Sequence, residues 1–109
     1  MANAQNTQGV SWFLRSNSAN ALVCFQASLI LWQELNEKKG IANSLVGIGN
    51  AYKDLGDYAT AIDYYNESLK INEEIENKVG VAVALNNIGI IYKNLGDYTN
   101  AIIYYTQSL

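Results

Sequence analysis

The chain contains no histidine, no proline and a single cysteine among its 109 residues. Without histidine, a Ser-His-Asp triad and a His-ligated metal are impossible, and one thiol cannot build a cysteine-ligated zinc site. An internal disulfide is equally excluded, which fits a reducing, cytoplasmic location. We therefore predict that the protein is not an enzyme and needs no metal and no cofactor.

Charge is also scarce. Only 16% of the residues are charged, the net charge is −3, and the seven Lys and Arg residues are scattered. No basic stripe exists to neutralise phosphates, so nucleic acid is not an expected partner. The longest apolar stretch, residues 21–32, is shorter than the roughly 20 residues that cross a bilayer, so no membrane is expected either. Cys24 lies in this stretch, where the usual interpretation is a small buried hydrophobic residue.

What the chain does contain is a repeat of 40 residues. Residues 40–69 and 80–109 are identical at 17 of 30 aligned positions. Self-similarity at such a period predicts stacked helical hairpins, which form an extended surface rather than an enclosed pocket. The repeat therefore favours binding and assembly over catalysis.

Each repeat shows helical periodicity twice, with a turn between the two helices. One face of the first helix is formed by Ala42, Leu45, Ile48, Gly49, Tyr52 and Leu55. The turn contains Gly56, which can adopt a left-handed conformation, and Asp57, which can cap the next helix.

The second helix presents Tyr58, Ala61, Ile62, Tyr65, Ser68, Leu69, Asn72 and Ile75 on one face. We predict that it runs for about 20 residues, that Glu74 and Lys78 form an i,i+4 pair on it, and that Gly80 ends it before the next helix starts at Ala82.

These residues resemble the tetratricopeptide repeat (TPR). The matching positions are Leu45, Ile48, Gly49, Tyr52, Gly56, Tyr58, Ala61, Tyr65 and Ser68, and then Leu85, Ile88, Gly89, Tyr92, Gly96, Tyr98, Ala101, Tyr105 and Ser108. Glycine inside a helix costs about 1 kcal/mol relative to alanine. Gly49 and Gly89 therefore predict a close approach between helices, opposite Ala61 and Ala101.

The resemblance implies an all-α fold, a right-handed α-solenoid of antiparallel helix-turn-helix repeats. Six residues are added to the usual period of 34, and the closing proline is absent. Such lengthened repeats are similar to those of kinesin light chain and of bacterial signalling proteins, which act as peptide-binding or self-associating scaffolds.

The predicted organisation is a degenerate N-terminal repeat over 1–39, a TPR-like repeat over 40–79, and a TPR-like repeat over 80–109 that stops within its second helix. In the first repeat, Asn17 occupies the capping position of Asp57. We expect a short first helix around Gly9 to Arg15 and a polar, frayed segment before it.

Paired tyrosines could suggest a stacking platform for bases or sugars. Tyr65 and Tyr105 belong to the core by register. Tyr64 and Tyr104 are predicted to pack on the flank against the next hairpin with a solvated hydroxyl.

The resemblance implies that the face of the first helices opposite the core lines a concave groove. The candidate peptide-binding residues on this face are Asn43, Asn50, Lys53, Asn86, Asn87, Ile90 and Lys93. Asparagine can both donate to and accept from the backbone of an extended peptide, and the lysines can attract acidic groups. The alternative is that these asparagines are ordinary solvated surface residues.

Chaperone-binding members of the family clamp a C-terminal carboxylate with Lys and Asn over three repeats. Asn50 and Asn87 coincide with two of those positions, but Val46 occupies a lysine position, so a carboxylate clamp is not expected.

The last helix has no polar cap after it, which leaves apolar side chains for a neighbour. The candidate self-association residues are Ile102, Ile103, Tyr105 and Leu109. The predicted function is a non-catalytic scaffold that binds a protein or peptide segment, as a fragment of a larger TPR protein. The alternatives are a structural module that forms homo-oligomers through its uncapped ends, and a regulatory arm of a larger protein.

Overall fold

The computed structural model describes the backbone of residues 10–109 and the side chains of residues 17–109. The elements are α1 (Val10–Leu35), α2 (Lys38–Asp54), α3 (Tyr58–Glu74), α4 (Lys78–Asn94) and α5 (Tyr98–Ser108). Each helix packs on its neighbour in sequence, and the described part of the chain contains no strand. The prediction of an all-α solenoid of antiparallel helices is confirmed.

The four connections between helices share one hydrogen-bonded turn. Each contains a residue with positive φ, namely Asn36 (58°), Gly56 (87°), Glu76 (58°) and Gly96 (81°). The N–H of the following residue bonds back to the carbonyl five positions earlier, as from Asp57 to Tyr52 at 2.9 Å. This is the Schellman arrangement, which satisfies the last carbonyls of a helix. The glycine turns and the Asp57 cap, which accepts from the Thr60 N–H, were predicted from the sequence.

The predicted end of α3 is wrong. The helix stops at Glu74 after 17 residues, because Glu76 adopts the left-handed conformation without being glycine. Asn77 then caps α4 by accepting a hydrogen bond from the Gly80 N–H at 3.2 Å. Gly80 therefore lies inside α4 rather than ending α3. Glu74 does not pair with Lys78, since the turn separates them, and its carboxylate lies 3.6 Å from the Lys38 ammonium of α2.

The predicted break near Asn17 is absent. Helix α1 is continuous over 26 residues and runs through Ser16-Asn17-Ser18, the segment that replaces the glycine turn. Cys24 is exposed rather than buried, because none of the described helices packs on that side of α1. The expected fraying before Gly9 lies outside the described residues.

The close approach between α2 and α3 is confirmed. A Cβ atom built on Gly49 would lie 2.7 Å from a ring carbon of Tyr65 and 3.2 Å from the Ala61 carbonyl oxygen. Tyr65 is fully buried and belongs to the central cluster with Ala61, Ile88 and Ile91. Glycine is therefore required here because a side chain would overlap the neighbouring helix.

A buried polar network joins α3 to both of its neighbours. The Ser68 hydroxyl donates to the Ala42 carbonyl of α2 at 3.0 Å and accepts from the Asn72 amide at 3.2 Å. The side-chain amide of Asn77, the N-cap of α4, donates to the side-chain carbonyl of Asn72 at 3.1 Å. Asn72 is only 2% exposed, so its polar atoms need these partners. The network fixes the junction between successive hairpins.

Candidate functional site

The inner surface of the array is formed by α2 and α4. These two helices approach each other although they are not adjacent in sequence, whereas α1 and α3, or α3 and α5, make no comparable approach. Because successive helices are closer together on the α2–α4 side, that side is concave.

A trough of about 400 Å³ lies between the N-terminal halves of α2 and α4. It is lined by Lys39, Asn43, Val46, Asn72, Asn77, Val79, Gly80 and Val83. Val79 is 74% exposed and Val83 is 43% exposed. The trough therefore combines an apolar strip with an ammonium and an amide at its edge.

The predicted peptide-binding residues divide by position and exposure. Asn43 is exposed and lines the trough. Asn86 and Lys93 are exposed, and Lys53, Asn87 and Ile90 are half-buried. These last five residues, with Asn50, lie outside the trough lining, toward the C-terminal halves of α2 and α4.

The side chain of Asn50 has a structural role. The Tyr65 hydroxyl donates a hydrogen bond to its side-chain carbonyl. Burial raises the pKa of Tyr65 above its ordinary value, with a smaller contribution from Asp54, so the phenol stays protonated as a donor. The NH2 group of Asn50 and the second lone pair of its side-chain carbonyl remain available to a ligand.

Sequence reasoning missed Lys39 and Val79 as lining residues. The predicted start of α4 at Ala82 put Val79 outside the helix, whereas α4 begins at Lys78. Asn77 could have indicated the start of α4, because asparagine is among the best N-cap residues.

Charge is distributed unevenly between the inner and outer helices. Helices α2 and α4 contain one carboxylate, Asp54, and the lysines Lys38, Lys39, Lys53, Lys78 and Lys93. Helix α3 contains one lysine, Lys70, and the carboxylates Asp63, Glu67, Glu73 and Glu74. The bridge between Lys38 and Glu74 is more than half exposed and neutralises little. The inner face therefore attracts acidic groups more than the outer face does.

A larger cleft of about 780 Å³ opens on the outer side, between α1 and α3. Its floor contains Ile41 and Leu45 of α2, and Asp63 and Glu67 stand on its α3 side. It is a second concavity, on the side opposite the predicted site. No three His, Cys, Asp or Glu side chains gather around a metal-sized space in the part of the chain that the structure describes.

The paired tyrosines stack within their own hairpins. The rings of Tyr52 and Tyr64 have centroids 5.7 Å apart, and those of Tyr92 and Tyr104 lie 5.5 Å apart. Each of these rings therefore packs on the tyrosine of the preceding helix, which was not predicted, and packing against the next hairpin stays a prediction. Desolvation, with smaller effects of Tyr52 and Glu67, raises the pKa of Tyr64.

Stacked helical hairpins with a concave inner face define a helical repeat protein of the interaction-scaffold class. The tetratricopeptide repeat family model matches residues 1–74 and 40–109. The chain belongs to the tetratricopeptide repeat family, which is generally non-enzymatic and serves protein–protein interaction. No curated protein matches the sequence significantly.

Among solved structures, the chain is similar to the TPR domain of Arabidopsis FLU. The two share 25% sequence identity with a TM-score of 0.77, and the match covers 93% of this chain and 85% of that one. Across the described residues, no helix is both long and apolar enough to span a membrane.

Proposed function

We propose that the protein binds an extended, acidic peptide segment of a partner protein along its concave face. The observation that carries the proposal is the trough between α2 and α4, with Lys39 and Asn43 beside the exposed Val79 and Val83. Asn43, Asn50, Lys53, Asn86, Asn87, Ile90 and Lys93 extend this surface along the two helices. No catalytic role, nucleic acid or membrane enters the proposal, and a cytoplasmic location accompanies it.

Each part of the surface supplies one kind of contact. Val79 and Val83 can bury an apolar side chain of the peptide. Asn43 and Asn86 can pair with its backbone through both donor and acceptor groups. Lys39 and Lys93 can attract carboxylates, which speeds association and sets the preferred sign of charge. The repeats over 40–79 and 80–109 would each contribute one inner helix.

Titration with two fluorescent peptides of opposite charge tests this function. Both contain alternating leucine and a charged residue, which is glutamate in one and lysine in the other. We expect the glutamate peptide to bind more tightly. Reversing two inner lysines, in Lys39→Glu/Lys93→Glu, should weaken its binding at least tenfold, about 1.4 kcal/mol.

The matched control reverses Lys70 of α3 and Lys78, the first residue of α4, neither of which is among the residues proposed to contact the peptide. Lys70→Glu/Lys78→Glu changes the net charge by the same amount, and neither residue lines the trough. If both double variants lose the same affinity, the attraction is a property of the whole chain and the proposed site is wrong.

Self-association through α5 is the second candidate function. Ile102 is 63% exposed, Ile103 is 47% exposed and Leu109 is fully exposed, while Tyr105 is half-buried. Oligomers formed this way should dissociate in Ile102→Glu/Ile103→Glu and persist in Asn50→Ala/Asn87→Ala, as measured by light scattering.

A further inference from the structure

Helix α1 has two apolar faces, and α2 packs against only one of them. Phe25 and Trp32 point at Gly47 and Gly40 of α2, where an added Cβ would meet their rings. On the other face, Val23 is 65% exposed, Leu31 is 59% and Leu35 is 65%. Helix α2 does not cover these three side chains.

Comparison with α3 shows what is missing. Phe25 and Ser28 hold the register positions of Tyr65 and Ser68 forty residues later. In α3 these positions are fully buried, whereas Phe25 is 38% exposed and Ser28 is partly exposed. The difference arises because α3 lies between α2 and α4, while α1 packs on α2 alone. Within the described residues, one flank of α1 therefore has the composition of a helix–helix interface but no helix packed on it.

This flank carries no charge before Glu34, which lies at its C-terminal end. No charged residue occurs between Arg15 and Glu34. Exposed apolar patches of several hundred Å² are rare on monomers and mark interaction sites. The uncovered side chains of Val23, Ile30, Leu31 and Leu35, with parts of Phe25 and Trp32, make a patch of that order.

We propose that a second copy of the chain covers this flank, through antiparallel packing of α1 on α1 about a two-fold axis near Leu29. This alignment makes the flank complementary to itself. Val23 faces the partner's Leu35, and the small Ala27 faces the partner's Leu31. Two contacts of each kind are formed, because a two-fold interface uses the same patch on both copies. Small residues opposite leucine allow the helices to approach closely.

The charge of Glu34 selects the antiparallel orientation. A parallel pair in register would place the two Glu34 carboxylates side by side, which is unfavourable. In the antiparallel pair they are separated by about 15 Å along the helix axis, at a rise of 1.5 Å per residue. Antiparallel helix dipoles add a small favourable contribution.

The molecular mass of the full chain tests the dimer. We expect light scattering to give the mass of two chains at about 100 μM, and of one chain for Leu31→Glu. The matched control is Leu95→Glu, at the C-cap of α4, where the side chain is 56% exposed, and it should remain dimeric. Circular dichroism checks that each variant is folded. A one-chain mass for the wild type, a dimeric Leu31→Glu, or dissociation by Ile103→Glu in place of Leu31→Glu would overturn the proposal.

Cysteine cross-linking tests the orientation. In the antiparallel pair, residue 28 lies about 3 Å along the axis from its counterpart, whereas residue 24 lies about 15 Å from its own. A disulfide needs Cα atoms within about 7 Å. Diamide, which takes up the two electrons and two protons of a thiol pair, should therefore cross-link Ser28→Cys in a Cys24→Ser background and leave wild-type Cys24 unlinked. Equal cross-linking of both, or of Cys24 alone, would contradict the antiparallel pair.

The dimer is independent of peptide binding. Leu31→Glu should leave the affinity for the glutamate peptide unchanged within about twofold, since α1 contributes nothing to the inner trough. Lys39→Glu/Lys93→Glu should likewise leave the dimeric mass unchanged. Each proposal can therefore fail without the other.

Discussion

The Tyr65 hydroxyl of α3 donates a hydrogen bond to the side-chain carbonyl of Asn50 in α2. This bond crosses the hairpin from the buried core to the edge of the concave face. It links Asn50, which is proposed to contact a peptide, to Tyr65, which belongs to the hydrophobic core. Substitutions of Asn50 therefore affect stability and binding together.

Asn50→Ala should destabilise the protein by about 1 to 3 kcal/mol, because the buried Tyr65 hydroxyl loses its acceptor. Asn86→Ala is the matched control at an exposed position of α4, where the free energy of unfolding should change by less than about 0.5 kcal/mol. Urea unfolding measures both values. Equal effects would mean that the hydrogen bond makes no net contribution.

Gly49→Ala should also destabilise, although alanine is the better helix former by about 1 kcal/mol. Its Cβ would lie 2.7 Å from the Tyr65 ring, and such overpacking costs about 1 to 3 kcal/mol. Gly89→Ala meets Tyr105 at 2.9 Å, but that ring is only half-buried and can shift. We expect thermal denaturation to show a clearly larger loss for Gly49→Ala, and the reverse order would contradict the packing argument.

Glu76→Gly should stabilise the protein by about 0.5 to 1 kcal/mol. Glu76 has a φ of 58°, which strains any residue with a side chain and is free for glycine. The control is Glu73→Gly, in the last turn of α3, which should destabilise by a similar amount because glycine is a poor helix former. Chemical denaturation of the pair gives the comparison, and a loss in both variants would mean that the turn is unstrained.

Stability should fall in alkaline solution. Burial raises the pKa of Tyr65 above the ordinary 10.0, so the unfolded chain releases this proton first as the pH rises. The contribution of Tyr65 to the free energy of unfolding is complete below about pH 10. Above that pH it decreases by up to about 1.4 kcal/mol per pH unit. Tyr65→Phe should flatten this dependence, and Tyr98→Phe, at an exposed tyrosine, should not. Unfolding at pH 9 and pH 11 provides the test.

Sequence periodicity predicted the helices of the repeats and their glycine turns well. Gly56 and Gly96 predict their turns because few other residues tolerate positive φ. Asn36 and Glu76 form the same turn without glycine, so two helix boundaries could not be placed from residue type alone. At these two turns, contacts with neighbouring residues stabilise the positive φ. At Glu76, for example, the next residue, Asn77, donates a hydrogen bond to the side chain of Asn72.

The site was harder to predict than the fold. Asn43 lines the trough between α2 and α4, and its helical register relative to Gly49 indicated that side of the helix; its role in binding stays a prediction. Val79 was missed because α4 begins at Lys78 rather than at the predicted Ala82, and Lys39 was missed although it lies in the first turn of α2. The exposure of Cys24 could not be predicted either, since it depends on which flank of α1 lacks a neighbour.

Both tryptophans of the chain lie in α1, and all eight tyrosines lie between α2 and α5. Because α1 packs on α2 alone, indole emission reports the state of one end of the molecule, and phenol absorbance reports the remainder. A single melting experiment followed at two wavelengths can therefore show whether the first helix detaches before the rest, without any added label.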